Sequence, residues 1–247
     1  MKRIAIIGAG LLGQQIAHHI KNDQGYEPVG FFDDNLAGLQ ISMPVLGKVQ
    51  DVDRCYADGR FDQLIIGIGY HHFAYRWQCF QHFQTHIPFL TFIHSSCWVD
   101  KSTQIGTGSF LMPGTIIDDH ASLGANVFLQ VGCSISHHST IKENCFLGPR
   151  VTVAGCVTVE RDCFLGVGST VIDSVRICPG VRTGGGAVVI DSIDQAGLYV
   201  DRHRRERRRD GQLRVDRQRA QDDLRDGRRR PDHADAGRER RARRGLG

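Results

Sequence analysis

Residues 123–153 read LGANVFLQVGCSISHHSTIKENCFLGPRVTV, and every sixth position in this stretch is aliphatic: Leu123, Leu129, Ile135, Ile141, Leu147 and Val153. The phase runs back through Ile117, Leu111, Ile105 and Val99 to Ile93, and forward through Val159, Leu165 and Val171 to Ile177, fifteen aliphatic residues in one register. Chance would give such a run on the order of once in a billion, so the period is a property of the fold. Thr183 breaks the series and Val189 resumes it. Two places before each aliphatic residue stands a small or β-branched one, among them Cys97, Cys133, Cys145 and Cys163, which are thereby accounted for as packing. Turn positions carry Gly106, Gly124, Gly148 and Gly166. One aliphatic and one small residue per six, with glycine at the bends, predicts a three-sided coil of about 18 residues with short parallel strands as its faces.

This pattern resembles the hexapeptide-repeat acyltransferases. The resemblance implies a left-handed parallel β-helix and association as a homotrimer. The hand comes from the resemblance alone, because ordinary parallel crossovers are right-handed.

Upstream, Lys2 to Ile7 is an apolar run that leads into Gly8-Ala9-Gly10-Leu11-Leu12-Gly13 and then a helical stretch through Ile20. A second strand around Val29 to Phe32 ends at Asp33-Asp34, and a third, Leu64-Ile65-Ile66-Gly67-Ile68-Gly69, also ends in glycines. Strand, glycine turn, helix and acid-tipped strand match a dinucleotide-binding fingerprint in outline, in which glycine admits a phosphate close to the backbone and the helix N-terminus offers unpaired N–H groups. About ninety residues are too few for the two halves that hold a whole dinucleotide, which counts against an oxidoreductase.

Together the glycine turn, the Asp-Asp strand end, the Ile-Gly-Ile-Gly strand end and the Ile93-His94 pair ahead of the repeats resemble the bacterial PglD/NeuD-like sugar acetyltransferases, over roughly residues 2–200. The resemblance implies two domains, residues 1–90, a half-Rossmann-like α/β domain for a nucleotide-linked sugar, and residues 91–200, the β-helix acyltransferase domain; composition makes residues 201–247 a disordered Arg-rich tail. It further implies acetyl-CoA as co-substrate, a nucleotide-linked amino-deoxy sugar as acceptor, and a place in bacterial surface-glycan assembly. The nucleotide sugar is then expected against Gly8, Gly10, Leu11, Asp33, Asp34 and Gly69. Relatives often carry Gly-His-Gly in the first turn, where this chain has Leu11-Leu12-Gly13. O-acetylation of sialic acid or a related sugar, an inactive trimeric scaffold and a zinc-dependent hydratase are the alternatives.

N-acetylation needs a base for the amine proton, a donor for the thioester oxyanion and a groove for the pantetheine arm. Histidine suits the first task near neutral pH, and the repeats offer His94, His120, His137 and His138. By resemblance the base is His137, and His138 stands where relatives often have Asp or Glu. One coil further on, Gly155 is the implied backbone contact for the acetyl carbonyl, although a turn glycine reads equally well. Val167 and Gly185 are the further implied acetyl-CoA contacts. His120, His138 and Cys156 share one column at a stacking distance of about 4.8 Å. That column reads as repeat register, and no metal is expected; the close histidine pair of the γ-class carbonic anhydrases is not found here.

The 247 residues carry 31 Lys+Arg against 27 Asp+Glu, but the balance is uneven. Residues 201–247 hold 18 Arg and 10 Asp+Glu, a net charge of +8, while residues 1–200 net −4. The tail also lacks Phe, Trp, Tyr, Ile and Met, too little apolar surface to offset the entropy of ordering. The family's closing segment is matched through Gly197-Leu198-Tyr199-Val200 and then stops within one residue, so the tail reads as an out-of-frame continuation of GC-rich DNA. Nucleic-acid binding is not expected outside that basic stretch. No 18-residue apolar run and no signal-peptide pattern occur, which points to a cytoplasmic protein, with all eight Cys as buried small hydrophobes.

Overall fold

The computed structural model describes residues 1–23, 25–36, 40–41 and 43–200. The expectations placed on residues 201–247 lie outside these.

The α/β part consists of β1 (Arg3–Ile7), α1 (Leu11–Asn22), β2 (Glu27–Phe32), β3 (Val45–Gly47), α2 (Val52–Ala57), β4 (Gln63–Ile66) and α3 (Phe73–Phe83). Its four parallel strands lie in the order β3-β2-β1-β4. Ile4 to Ile7 and Leu64 to Ile66 are all buried, as both faces of a covered parallel sheet demand. Ile4, Ile6 and Ile65 pack with Ile16, Ala17 and Ile20 of α1, whereas Ala5, Ile7, Leu64 and Ile66 pack with Val52, Cys55, Cys79 and Phe80 of α2 and α3.

From Phe92 to Val189 the chain forms two-residue strands that pair with strands 18 residues away along the repeats, giving three parallel sheets, and the last strand, Leu198–Tyr199, pairs with Arg182–Thr183 at a spacing of 16. The first face carries Phe92, Phe110, Phe128, Phe146, Phe164 and Arg182 at the leading strand positions; the second carries Trp98, Ile116, Ser134, Thr152, Thr170 and Val188; the third carries Gln104, Ser122, Thr140, Thr158 and Arg176. Each strand's second residue points inward, so Ile117, Leu129, Ile135, Ile141, Leu147, Val153, Val159 and Leu165 are fully buried. The break at Thr183 has a local cause. Its buried hydroxyl accepts the Gly166 N–H at 2.8 Å and pairs with Ser169 Oγ at 2.8 Å, which satisfies the polar group inside the core.

The reading of the cysteines needs one correction. Cys55, Cys79, Cys133, Cys145 and Cys163 are buried and Cys97 and Cys178 half-buried, but Cys156 is exposed, because it occupies a left-handed turn position (φ 58°) at a corner.

A feature with a longer period joins the two parts. Phe92, Phe110, Phe128 and Phe146 stack along the first face with successive ring-centroid distances of 4.5, 5.4 and 4.9 Å, and Phe164 follows at 6.0 Å. This ladder packs into the same apolar cluster as Ile4, Ile16, Ile20 and Ile65, so the α/β part covers the first face. Beside it, left-handed corner residues Asn126, Asn144 and Asp162 form a side-chain ladder, with Asn126 Nδ2 to Asn144 Oδ1 at 3.0 Å and Asn144 Nδ2 to Asp162 Oδ1 at 2.6 Å. Fully buried Arg76 of α3 closes that ladder by donating from Nη2 to the Asn126 carbonyl at 2.7 Å. Burial pulls the Arg76 guanidinium down to about 10.

On the third face, buried Glu160 sits between Lys142 Nζ and Arg176 Nη2, each at 2.8 Å. Hydrogen bonds from Lys142 and then Arg176 hold its carboxyl below the usual glutamate range. A depressed carboxyl contributes stability above its unfolded pKa of about 4.3 and loses it as pH falls through the folded value. Glu160→Gln should therefore lower stability at pH 7 by about 1 kcal/mol, since the cations stay in water. Urea melts of variant and parent should converge as the pH drops below about 4. A constant gap down to pH 3 would contradict this account.

Candidate active site

The glycine turn after β1 is fixed by packing. Gly8 has φ 108° and donates its N–H to the Phe32 carbonyl at 2.8 Å. A Cβ on Gly13 would lie 1.9 Å from the Gly8 carbonyl oxygen, and one on Gly67 would lie 2.8 Å from the Gly13 Cα. The three backbones touch where α1 crosses the ends of β1 and β4, so close approach demands glycine there. Gly10 caps α1 with open space before it, and Leu11 is 87% exposed.

Four of the six residues expected against a nucleotide sugar line two clefts, and Gly8 and Gly10 line neither. Leu11 and Gly69 line one of about 450 Å³, with Leu12, Gln15, Tyr70, Gln130 and Phe146. Asp33 and Asp34 line another of about 540 Å³, with Gly47, Lys48 and Asp51 among its walls. Both carboxylates already have partners: Asp33 Oδ2 accepts the Ala9 N–H at 2.7 Å, and Asp34 accepts the Tyr75 hydroxyl at 2.9 Å and the Val49 N–H at 3.0 Å. Asp33 thus ties the glycine turn to the end of β2, and Gly8 lies behind the turn, outside both groups of lining residues.

The histidines stand at the corner between the second and third faces. His137 and His138 follow the strand Ser134–Ile135 and precede Thr140–Ile141, and both are exposed. His138 takes φ 57°, which turns its ring beside that of His137, with Nδ1 to Nδ1 at 3.3 Å. One coil earlier, the His120 ring stacks on His138 at 5.0 Å and 11°, and His120 Nδ1 meets Asp119 Oδ2 at 3.1 Å. One coil later lies Gly155. A Cβ there would sit 2.6 Å from both Cε1 and Nε2 of His137, so glycine is the seat on which this ring rests.

The backbone of Gly155 has a partner of its own. Its N–H donates to Asp173 Oδ1 at 3.0 Å. The other expected residues at this level, Val167 and Gly185, stand together at the corner between the first and second faces; a Cβ on Gly185 would lie 3.1 Å from Val167 Cγ1. Val167 is 55% exposed. Within one chain the whole second face separates this pair from His137. His94 belongs elsewhere, at 3.6 Å from Asp23 and beside His19, whose own imidazole burial pushes below the usual range. The column of His120 and His138 read from the sequence is a ring stack in the structure, whereas Asp173 was missed, though it lies 18 residues beyond Gly155 and the same step would have found it.

No group of three or more His, Cys, Asp or Glu among the described residues is placed to hold a metal ion, and none of their helices is long and apolar enough to cross a membrane.

Residues 3–83 match the PglD N-terminal domain family. No curated protein matches the sequence. Among solved structures, the acetyltransferase domain of PglB from Neisseria gonorrhoeae in complex with acetyl coenzyme A is 20% identical, with a TM-score of 0.74 over 81% of this chain and 96% of that one. A variant of GDP-perosamine N-acetyl transferase from Caulobacter crescentus, in complex with CoA and GDP-perosamine, is 24% identical with a TM-score of 0.75 over 81% and 94%. WeeI from Acinetobacter baumannii is 20% identical with a TM-score of 0.68 over 83% and 99%. What these structures share with the chain is the fold, an α/β domain followed by a left-handed parallel β-helix, as the sequence led us to expect. Within that fold the matched family model spans β1 through α3.

Proposed function

We propose that the chain is an acetyl-CoA-dependent N-acetyltransferase acting on the amino group of a nucleotide-linked amino-deoxy sugar, with His137 as general base, in bacterial surface-glycan assembly in the cytoplasm. The observation that carries this reading is the His137 ring, seated on Gly155 at an exposed corner with Nδ1 engaged by His138. Among the described residues no hydrogen bond to protein occupies its Nε2, which leaves that nitrogen able to take a proton from an attacking amine. The amine nitrogen bonds to the thioester carbon, His137 Nε2 takes its proton, and the carbon–sulfur bond breaks to release the CoA thiolate, which takes up that proton to leave as the thiol. The solved acetyltransferases bound to acetyl-CoA, or to CoA with GDP-perosamine, support the same donor and acceptor class.

The nucleotide sugar is assigned to the clefts by Gly10, Leu11, Asp33, Asp34 and Gly69, and the pantetheine arm to the apolar corner of Val167 and Gly185. Gln130 and Phe146 put the first cleft on the first face, whereas His137 stands beyond the second. A site drawing on both corners is completed by another copy of the chain, which favours a homotrimer with active sites between subunits. The second face supports this, since Trp98, Ile116, Val188 and Ile190 leave apolar surface exposed.

The test is thiol release from acetyl-CoA across UDP-, dTDP- and GDP-linked amino sugars, with the corresponding hydroxy sugars as controls. Turnover confined to amino sugars is the expected result, and turnover of hydroxy sugars alone would replace the reading with O-acetylation. Sedimentation should find a trimer at micromolar concentration; a stable monomer would remove the shared-site arrangement.

A further inference from the structure

We infer that His138 is a positioning residue that fixes the tautomer of His137, doing as a neutral hydrogen-bond acceptor what a carboxylate would otherwise do. This inference rests on the proposed role of His137 as base. For Nε2 of His137 to take the amine proton it must carry a lone pair, so the ring proton sits on Nδ1. That Nδ1–H points at His138 Nδ1, 3.3 Å away. His138 Nδ1 must then be the acceptor, and its own proton lies on Nε2.

The surroundings hold His138 in that pose. Its N–H donates to the Asp119 carbonyl at 3.0 Å, and its left-handed φ of 57° sets the direction of the side chain. The His120 ring lies parallel beneath it, itself tied to the Asp119 carboxylate. A negative charge therefore stands one ring away from the pair, where it can offset the imidazolium that forms on His137 as the amine loses its proton. Other charged or titratable groups near the pair are Asp118 and Asp100 on the side of His120, Cys156 on the next coil, and Asp173, bonded to Gly155. The arrangement has one consequence that a carboxylate would not produce: protonation of His138 removes the acceptor and sets two donors against each other. Activity then requires two neutral imidazoles.

Two substitutions separate this role from a merely structural one. His138→Asn keeps an acceptor, cannot titrate and tolerates the left-handed backbone; His138→Gly loses the acceptor and fits the turn without strain. Two-bond ¹H–¹⁵N correlation spectra of the full chain labelled at histidine, recorded near pH 8, read the tautomer with no substrate present. His137 should carry its proton on Nδ1 in the parent and in His138→Asn, and shift toward the Nε2–H form in His138→Gly. In turnover, His138→Gly should lower kcat roughly 10- to 10²-fold with the KM for acetyl-CoA little changed, and His138→Asn should recover most of that loss. The acidic limb of log kcat/KM should lose one unit of slope in His138→Asn relative to the parent. An unaltered His137 tautomer in His138→Gly, or a parent His137 protonated on Nε2, would overturn the inference. Full activity in His137→Ala would instead overturn the reading beneath it.

Discussion

His137→Ala should lower kcat by ~10²- to 10⁴-fold, the range for a lost general base, while the KM for acetyl-CoA changes little. The asymmetry follows from where the residue stands. Its ring lies on Gly155 at an exposed corner, away from the corner of Val167 and Gly185 assigned to the pantetheine arm, so removing it deletes a proton acceptor and leaves that surface intact. Exposure also means that truncation opens no cavity in the core, and the thermal midpoint should stay within a few degrees of the parent. Steady-state kinetics on the amino-sugar substrate with matched melts decide the matter. An unchanged kcat in a properly assembled variant would reduce His137 to a turn residue and remove the proposed mechanism.

Phe128→Ala should destabilise the chain by about 3–5 kcal/mol, the usual cost of deleting a fully buried aromatic side chain. Phe128 is 1% exposed and stacks between Phe110 at 5.4 Å and Phe146 at 4.9 Å. Its outer surface meets the cluster of Ile4, Ile16, Ile20 and Ile65, so the hole would open in the seam that joins coil and α/β sheet. The coil's interior is made by other residues and should persist. Far-UV circular dichroism and Trp fluorescence followed through a urea titration should therefore separate, with the α/β part lost first. Trp77 lies on α3 and Trp98 on the coil, which gives each part a reporter. A loss below 1 kcal/mol, with coincident transitions, would show that the ladder does not hold the seam.

The interior of the coil was legible because one chemical constraint, an inward-pointing aliphatic residue, recurs every six residues and is sampled fifteen times. The Phe ladder obeys an equally strict constraint with a period three times longer. Stepping by six pools the three outward faces, and Phe92, Phe110, Phe128, Phe146 and Phe164 vanish into a mixture with Trp98, Ser134, Gln104 and Thr140. Much of the candidate site was visible for a different reason, since a His at a turn between strands is exposed by construction. What stayed hidden depends on direction rather than identity. The contact between His137 and His138 follows from a left-handed φ, and the hydrogen bond that occupies the Gly155 N–H follows from an Asp173 side chain one coil away. Similarly, Asp33 looked like a ligand-facing carboxylate at a strand end, yet the Ala9 N–H lies 2.7 Å from it, because the glycine turn folds back over the tip of β2.

The 18-residue spacing of the ladder also sets which length changes the gene can absorb. Adding or removing a whole coil leaves every later side chain on its own face and only lengthens or shortens the prism. A change of six residues preserves the aliphatic interior just as well, yet it rotates everything downstream by one face. The remaining phenylalanines would then point away from the α/β sheet, and histidines beyond the change would move to a different edge. Drift in length along this half of the chain is therefore quantised: the core would accept steps of six, but docking of the sheet and placement of the edge that carries His137 accept only steps of 18.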